Sequence, residues 1–430
     1  MIRTSCHSTK SSNTNKLNKL DFFVNEYKRV TQIFTDYIWE NGYSWNNKLE
    51  DKIETFNLTK NQLELPSMLT SNIIKDSNVD TFLTGRALKC CLTQVSGLIR
   101  AETEKQRKRI HILKKLNSEN VSKKKKKLLS KRLKENIPQK PNCSNVNPEL
   151  NSVCCKFEER SKEFDGFIRL TSITKTKLDI KIPIKFTKHS NKLMKDSELK
   201  TSFLISKDKI DFRWEKEVKK RTKGKTVGAD QGLKDVLSLS DKQVTKKIDI
   251  HGHSLESIIT RLTKKKKGSK SFKRTQEHRK NFINWSINSL NLKGIRQINL
   301  ERIWNIGYKS KTSRMLSHWT NTLIRDKVES ICETLGVQVI HQSSTYRSQR
   351  CSECGMVRKG NRKGKTYTCV NCGVIIDSDY NASKNHEISL PEIPYTFRNL
   401  NLNRVGFFWK ETGLFDLEGR SLQSLLPIKI

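Results

Sequence analysis

CSECG (351–355), CVNCG (369–373) and DSDYNASKN (377–385) follow one another closely in the chain. Each Cys-x-x-Cys-Gly knuckle turns two thiolates toward one soft divalent ion, so Cys351, Cys354, Cys369 and Cys372 supply four sulfurs in tetrahedral geometry. Such a site has no ligand position left for water, so the zinc it predicts is structural, and Gly355 and Gly373 let the backbone turn tightly around it. Two disulfides or four idle thiols are the alternative, but paired spacing of this kind reads as zinc where no export signal is seen. A zinc site contributes on the order of 10–16 kcal/mol at neutral pH, enough to hold a loop pair too small to build its own core.

The chemistry is expected in carboxylates nearby. Asp230 closes KTVGAD, a short β-branched run, and DVLSLSD follows as the return arm of a hairpin. Glu301 ends GIRQINLE, a second run of strand character. Asp379 lies in DSDYNASKN, whose Asp, Asn and Ala suit the first turn of a helix, where a carboxylate meets the positive end of the helix dipole. Three carboxylates from two strands and a helix can converge on two divalent cations, which generate an attacking hydroxide and steady the leaving oxygen in phosphodiester hydrolysis. Each acid taken singly also reads as a turn or cap residue.

GADQGLKDVLSLSD, INLERI, TYRSQRCSECG and CGVIIDSDYNASKN resemble, in order and spacing, the RuvC-like nuclease core of the TnpB proteins of bacterial transposons. Miniature type V CRISPR effectors and the eukaryotic Fanzor proteins share that core. The resemblance covers roughly residues 222 to 390. It implies an RNase H-like α/β nuclease with an inserted zinc ribbon, in which Asp230, Glu301 and Asp379 bind catalytic Mg²⁺ or Mn²⁺. The acid two residues ahead of Asn-Ala is the catalytic one in that family, which selects Asp379 over Asp377. Asp377 is then a neighbour that tunes the site or a solvated turn residue. The partners implied are a guide RNA and double-stranded target DNA.

Composition agrees with a polyanionic partner: 84 Lys plus Arg against 44 Asp plus Glu leave a formal charge of +40. Phosphate backbones relieve the self-repulsion of such a chain and release condensed counterions. A Lys- and Asn-rich composition also follows from an AT-rich genome. No apolar run approaches the roughly 18 residues of a membrane span and no signal-peptide core is seen, so neither membrane attachment nor export is expected. The place expected is the cytoplasm or nucleoid of a bacterium, or the nucleus if the homologue is eukaryotic or viral.

The architecture expected is α+β and multidomain. Residues 1–19 read as a flexible basic arm, and 20–135 as a helical nucleic-acid recognition region. Within it Phe23, Tyr27, Val30, Phe34 and Tyr37 fall on one helical face, for core packing or for base stacking. Between 101 and 135 there are 14 Lys or Arg against 4 Glu, among them Lys123, Lys124, Lys125, Lys126, Lys127, Lys131 and Arg132. Leu128, Leu129 and Leu133 dock this segment as a helix whose basic face is expected on a nucleic-acid backbone. Residues 136–150, with three of the eight prolines, are read as an interdomain linker.

Residues 151–221 carry β patterning: Leu178, Ile180, Ile182, Ile184 and Phe186 alternate with polar residues or Pro183, and the FLI and IDFRW runs follow. The resemblance makes this a small wedge-like β-barrel that grips the RNA scaffold. The nuclease domain spans 222–345, the ribbon 346–376 and the last motif 377–390, with a tail at 391–430 that has no assigned role. Inside the nuclease part, Lys264, Lys265, Lys266, Lys267, Lys270, Lys273 and Arg274 suit backbone contacts to a heteroduplex, or form a mobile loop. Arg347 and Gln349, just ahead of the ribbon, are expected to touch DNA or to cap the strand GVQVIHQSS. A family-like β-strand before the first helix is not apparent. The adjacent pairs Cys90–Cys91 and Cys154–Cys155 read as ordinary thiols.

The function this supports is RNA-guided cleavage of DNA in the manner of TnpB. A miniature type V effector, an RNase H-like resolvase or transposase working without RNA, and a non-cleaving DNA-binding regulator are the alternatives.

Overall fold

The computed structural model describes residues 1–41, 73–117, 121–159, 163–175, 180–303, 314–393, 397 and 400–422, apart from the side chains at 41, 103, 106, 107, 124 and 314. The chain is multidomain and α+β, in two compact units, Met1–Glu217 and Val218–Ile430.

In the first unit, β1 (Ile2–Ser8) precedes α1 (Thr14–Asn41), α2 (Gly85–Leu116) and α3 (Lys123–Glu135). Then come β2 (Glu149–Leu150), β3 (Cys155–Glu159), β4 (Gly166–Leu170), β5 (Ile180–Ile184), α4 (Lys188–Met194), β6 (Glu198–Ile205) and β7 (Lys209–Glu215). Two sheets result, ordered β1-β7-β6-β2 and β3-β4-β5. Pro183 is tolerated because β5 is an edge strand in that order. The alternation at 180–184 and the FLI and IDFRW runs are strands, while Leu178 lies outside the described residues.

Two expectations are corrected here. Residues 1–19 are not an arm: β1 pairs antiparallel with β7 from Ile2↔Glu215 to Ser8↔Lys209, and α1 begins at Thr14. The strand escapes a hydrophobicity reading because its inward positions are polar. Ser5 and His7 are buried, with the Trp214 indole donating to Ser5 Oγ at 2.7 Å and His7 Nδ1 beside the Lys185 carbonyl at 3.2 Å.

Residues 136–150 do not separate two domains. Gln32 of α1 accepts from the Cys143 amide at 2.8 Å and Lys140 pairs with Asp36 at 3.0 Å, while β2 adds to β6. One core runs through both sides, from Phe23, Tyr27 and Phe34 to Ile182, Phe212 and Trp214. The aromatic stripe of α1 is therefore core, with Phe23, Tyr27, Val30 and Phe34 buried and Tyr37 packed against them.

The second unit is built on a four-stranded sheet ordered β11-β10-β8-β9, from β8 (Lys225–Gln231), β9 (Leu237–Leu239), β10 (Ile295–Arg302) and β11 (Gln338–Ser343). The hairpin expected after Asp230 is present, since β9 is antiparallel to β8, whereas β10 is parallel to both β8 and β11. Helices α5 (Leu255–Thr263) and α6 (Lys270–Ile287) lie between β9 and β10 in the chain. Helices α7 (Arg314–His318) and α8 (Asn321–Leu335) lie between β10 and β11. Val227, Ala229, Ile298 and Leu300 pack with Ile258, Ile283, Ile287, Ile324 and Val328 in the core on one face. Period-two alternation turns Gly228, Asp230, Asn299 and Glu301 to the other face, where α9 (Ser378–Glu387) lies. Among the described residues no helix is long and apolar enough to cross a membrane.

The ribbon is a set of short strands, β12 (Met356–Val357), β13 (Arg362–Lys363), β14 (Thr366–Thr368) and β15 (Ile375–Asp377). The tail gains a structural account: β16 (Phe407–Lys410) pairs with β12 and with β17 (Gly413–Phe415). Phe407, Trp409 and Leu414 thereby close a small core over Val357, Leu390, Ile393 and Phe397.

Candidate metal centres and acidic site

The four ribbon cysteines converge. Cys351 and Cys372 sulfurs lie 3.6 Å apart, as do those of Cys354 and Cys369, and all four fall within 4.8 Å of one another. A tetrahedron with bonds of about 2.3 Å has edges near 3.8 Å, so the donor set fits a zinc-sized ion. The knuckle glycines do what their position requires: Gly355 and Gly373 have φ of 81° and 71°, and their amides donate to the Cys351 and Cys369 carbonyls, each at 3.0 Å.

Asp230 and Glu301 meet because of strand register. Parallel pairing sets Asn299 opposite Gly228 and Leu300 opposite Ala229, so the next residues, Glu301 and Asp230, stand side by side at roughly the 4.8 Å spacing of neighbouring strands. Gln231 fixes the end of the ladder by donating to the Glu301 carbonyl at 2.9 Å. Asp379 arrives from α9. Asp377 caps that helix, accepting from the amides of Asp379 and Tyr380 at 3.0 and 2.9 Å, so it is a cap and not a fourth acid. All three predicted acids line one cavity of about 470 Å³ together with Arg362, Lys365 and Trp319.

Burial and mutual repulsion disfavour ionisation of the strand acids. Burial, then the charges of Glu301 and Asp379, hold the Asp230 carboxyl well above its ordinary range. Burial pushes Glu301 up to about 7. Two cations from the ribbon hairpin offset the acidic charge: Arg362 reaches Asp379 at 3.0 Å, and Lys365 bridges Asp379 and Asp235, the latter at 2.6 Å. Burial works against the Lys365 charge, but its hydrogen bonds to Asp235 and Asp379 prevail and raise it to about 12. Asp235 is itself buried and also meets Lys247 at 3.3 Å.

Sequence reasoning missed His386, two turns beyond Asp379 on α9. It is 1% exposed, and a ring nitrogen lies within 4.8 Å of carboxylate oxygens of Asp230 and Glu301. Its Nδ1 is buried without a hydrogen-bond partner among the described residues. Burial, then the charge of Arg347, hold the ring neutral, lowering it to about 3. A neutral imidazole whose ring nitrogen lies beside two carboxylates is donor chemistry that a divalent cation fits. The Asp379 and His386 spacing of seven was the available signal, because it returns to one helix face.

The asparagines of DSDYNASKN lace α9 to the first knuckle. Asn381 accepts from the Ser352 amide at 2.9 Å and donates to the Arg350 carbonyl at 2.8 Å. Asn385 donates to the Arg350 carbonyl at 2.7 Å and the Arg347 carbonyl at 3.0 Å. Arg347 does not make the expected DNA contact but does cap the strand, the alternative reading: it is buried, and its Nε donates to the Ser343 carbonyl at the end of β11 at 3.0 Å. It also donates to the Asn385 and Ile388 carbonyls at the end of α9, and it lies over the Trp409 ring at 5.2 Å. An arginine that satisfies last-turn carbonyls is a cap. Gln349 is half-buried and accepts from Asn403 at 2.8 Å.

Among the predicted basic residues, Lys123, Lys125, Lys126, Lys127, Lys131 and Arg132 are exposed on α3, docked through buried Leu129. The Lys124 side chain lies outside the described residues. In the second unit Lys264, Lys266, Lys267, Lys270, Lys273 and Arg274 are exposed, whereas Lys265 is tied to Thr275 at 2.6 Å.

Residues 323–386 match the family model described as Cas12f1-like, TNB domain. Over 143 residues the chain is 32% identical to the CRISPR-associated endodeoxyribonuclease Cas12f1 of Sulfoacidibacillus thermotolerans, covering 33% of this chain and 32% of that protein. Over 172 residues it is 26% identical to Cas12f1 of Syntrophomonas palmitatica, covering 33% and 34%. The chain thus spans about a third of the length of the curated relatives it matches. Solved structures similar to it include a Cas12f1–sgRNA–target DNA complex, with a TM-score of 0.47, 12% identity and coverage of 87% of this chain and 81% of that one. Another is CasPhi-2 (Cas12j) bound to crRNA and phosphorothioate-DNA, with a TM-score of 0.47, 10% identity and coverage of 91% and 93%. The resemblance to the TnpB and miniature type V group, read from four sequence motifs, is borne out by the family and sequence matches.

Proposed function

We propose that this protein is an RNA-guided DNA endonuclease of the TnpB and miniature type V group. In this reading Asp230, Glu301 and Asp379 hold divalent cations, Mg²⁺ or Mn²⁺, and the four ribbon cysteines hold one zinc. The convergence of the three acids in one cavity beside a four-cysteine ribbon carries it. The sheet of the second unit is read as an RNase H-like core, and the two sheets of the first unit as the wedge-like, barrel-forming part beside helical recognition elements.

Divalent cations bound there would activate the attacking water and steady the leaving oxygen of a phosphodiester. The strand acids, poorly ionised when alone, bind cations as they give up their protons, and so favour the site at neutral to alkaline pH. Arg362 and Lys365 carry positive charge to the cavity wall, where a phosphate gains negative charge during the reaction. The exposed lysines of α3 and of residues 264–274 offer sequence-independent contacts to nucleic-acid backbones. Sequence choice then rests on base pairing with the guide.

The test is to purify the protein from cells carrying its native flanking DNA and to sequence the RNA that accompanies it. A discrete RNA that directs Mg²⁺-dependent cutting of a matching DNA, lost in Asp230→Ala, is the expected result. Heterogeneous cellular RNA, or cutting that ignores the Asp230 change, would move the resolvase or regulator reading to the front.

A further inference from the structure

We propose that His386 is a ligand of the divalent cation held by Asp230 and Glu301, and that its nitrogen biases this position toward Mn²⁺ over Mg²⁺. The inference rests on the metal-site reading above and adds to it a donor of different chemistry. Donor atoms around one small cation lie within roughly 4–5 Å of each other, and the three groups meet that limit at 4.8 Å.

Among the described residues, Asp230 and Glu301 of the strands and His386 of α9 form a set that could hold one ion. The Asp379 oxygens are taken by Arg362 and Lys365. A buried polar atom with no partner costs roughly 1–3 kcal/mol, and Nδ1 of His386 is such an atom. A cation in front of the two carboxylates gives the ring a partner through the nitrogen that lies within 4.8 Å of them.

Helix geometry supports the aim. Side chains tilt toward the helix N-terminus, so a residue near the end of α9 points back along the helix, and Gly228 of β8 lies directly beneath the backbone of His386. Imidazole suits transition ions, whereas Mg²⁺ prefers oxygen throughout. One nitrogen among carboxylates therefore shifts selectivity without excluding Mg²⁺.

Pulsed electron paramagnetic resonance on the full, zinc-retaining chain loaded with Mn²⁺, prepared once with ordinary and once with ¹⁵N-labelled histidine, tests this directly. The expected result is a coupling from a directly bound imidazole that changes with the label and vanishes in His386→Leu. That variant should fold, since it removes an unpartnered nitrogen and keeps an apolar volume. Its Mn²⁺ affinity should fall about tenfold or more, with a smaller change for Mg²⁺. Mn²⁺ bound without histidine coupling, yet lost in Asp230→Asn, overturns the role of His386 and leaves the carboxylate site standing. Mn²⁺ binding indifferent to Asp230→Asn overturns both.

Discussion

Gly228 lies so close to the last helix that a Cβ placed on it would overlap the carbonyl oxygen of Ser383 and the backbone nitrogen of Glu387. This backbone-to-backbone approach brings α9 against β8, and with it Asp379 and His386 toward Asp230. Gly228→Ala is therefore expected to cost roughly 1–3 kcal/mol by overpacking, or more if the helix lifts away. Urea unfolding measures the stability, and the same variant should lose divalent-ion binding although no acid has changed.

Protonation of Glu301 gives a pH dependence of definite sign. Its folded value of about 7 lies above the ordinary 4.5, so the folded state keeps a proton that the unfolded chain releases. The contribution is complete below about pH 4.5 and is lost as pH rises to about 7, by up to roughly 3 kcal/mol. Asp230, also raised, acts in the same direction. Without added Mg²⁺ or Mn²⁺, denaturation midpoints should fall over this range, and Glu301→Gln should flatten the fall. Added metal should stabilise the wild type more strongly at the alkaline end.

Lys365→Met removes the cation shared by Asp379 and Asp235. Among the described residues Asp235 then keeps Lys247 alone as a charged partner, and a loss of roughly 1–3 kcal/mol in stability is expected from a buried acceptor without its partner. Divalent-ion affinity should rise in the same variant, because a competing positive charge has left Asp379. Calorimetric titration with Mn²⁺ separates the two effects, and weaker binding would refute the competition.

Chelation of the ribbon metal, or Cys351→Ser, should release one zinc per chain and disturb more than the ribbon. Asn381 and Asn385 fasten α9 to Arg347, Arg350 and Ser352, so protection of α9 amides from hydrogen exchange should fall together with that of the knuckles. Unchanged protection in α9 would show that the helix holds its place without the metal.

Changing Lys123, Lys125, Lys126 and Lys127 to Gln should weaken binding of RNA and DNA alike, with no change in sequence preference. Each lost phosphate contact lowers the slope of log affinity against log salt by roughly 0.7–0.9. An unchanged slope would mean that α3 faces solvent in the complex.

Which parts could be read from the chain has a physical basis. Asp230 and Glu301 were legible because apolar runs announce buried strands and an acid at their ends breaks the pattern. The cysteines were legible because ligand spacing is short-range. By contrast β1 hides behind Ser5 and His7, whose burial depends on the distant partners Trp214 and Lys185. His386 carries only the weak mark of its seven-residue spacing from Asp379, and Lys365 none, since their neighbours come from another strand or another loop. Arg347 suggests phosphate as a basic residue in a basic chain, whereas carbonyls at the ends of β11 and α9 take up its donors, so its strand-capping reading holds and its DNA contact does not. Proline content makes residues 136–150 look like a linker, and it is contacts with Gln32 and Asp36 that bind them in.

The pairing of β16 with β12 also bears on how small this protein can be made. Trp409 donates its amide to the Gly355 carbonyl at 2.9 Å and accepts from Arg350 at 2.7 Å, so the first knuckle borrows its outer wall from residues beyond the last acidic motif. A version trimmed at residue 390 would keep Asp230, Glu301, Asp379 and every cysteine, yet expose Val357 and leave Arg350 short of an acceptor. Size reduction is better sought elsewhere, with the hairpin at 407–415 kept as part of the smallest working unit.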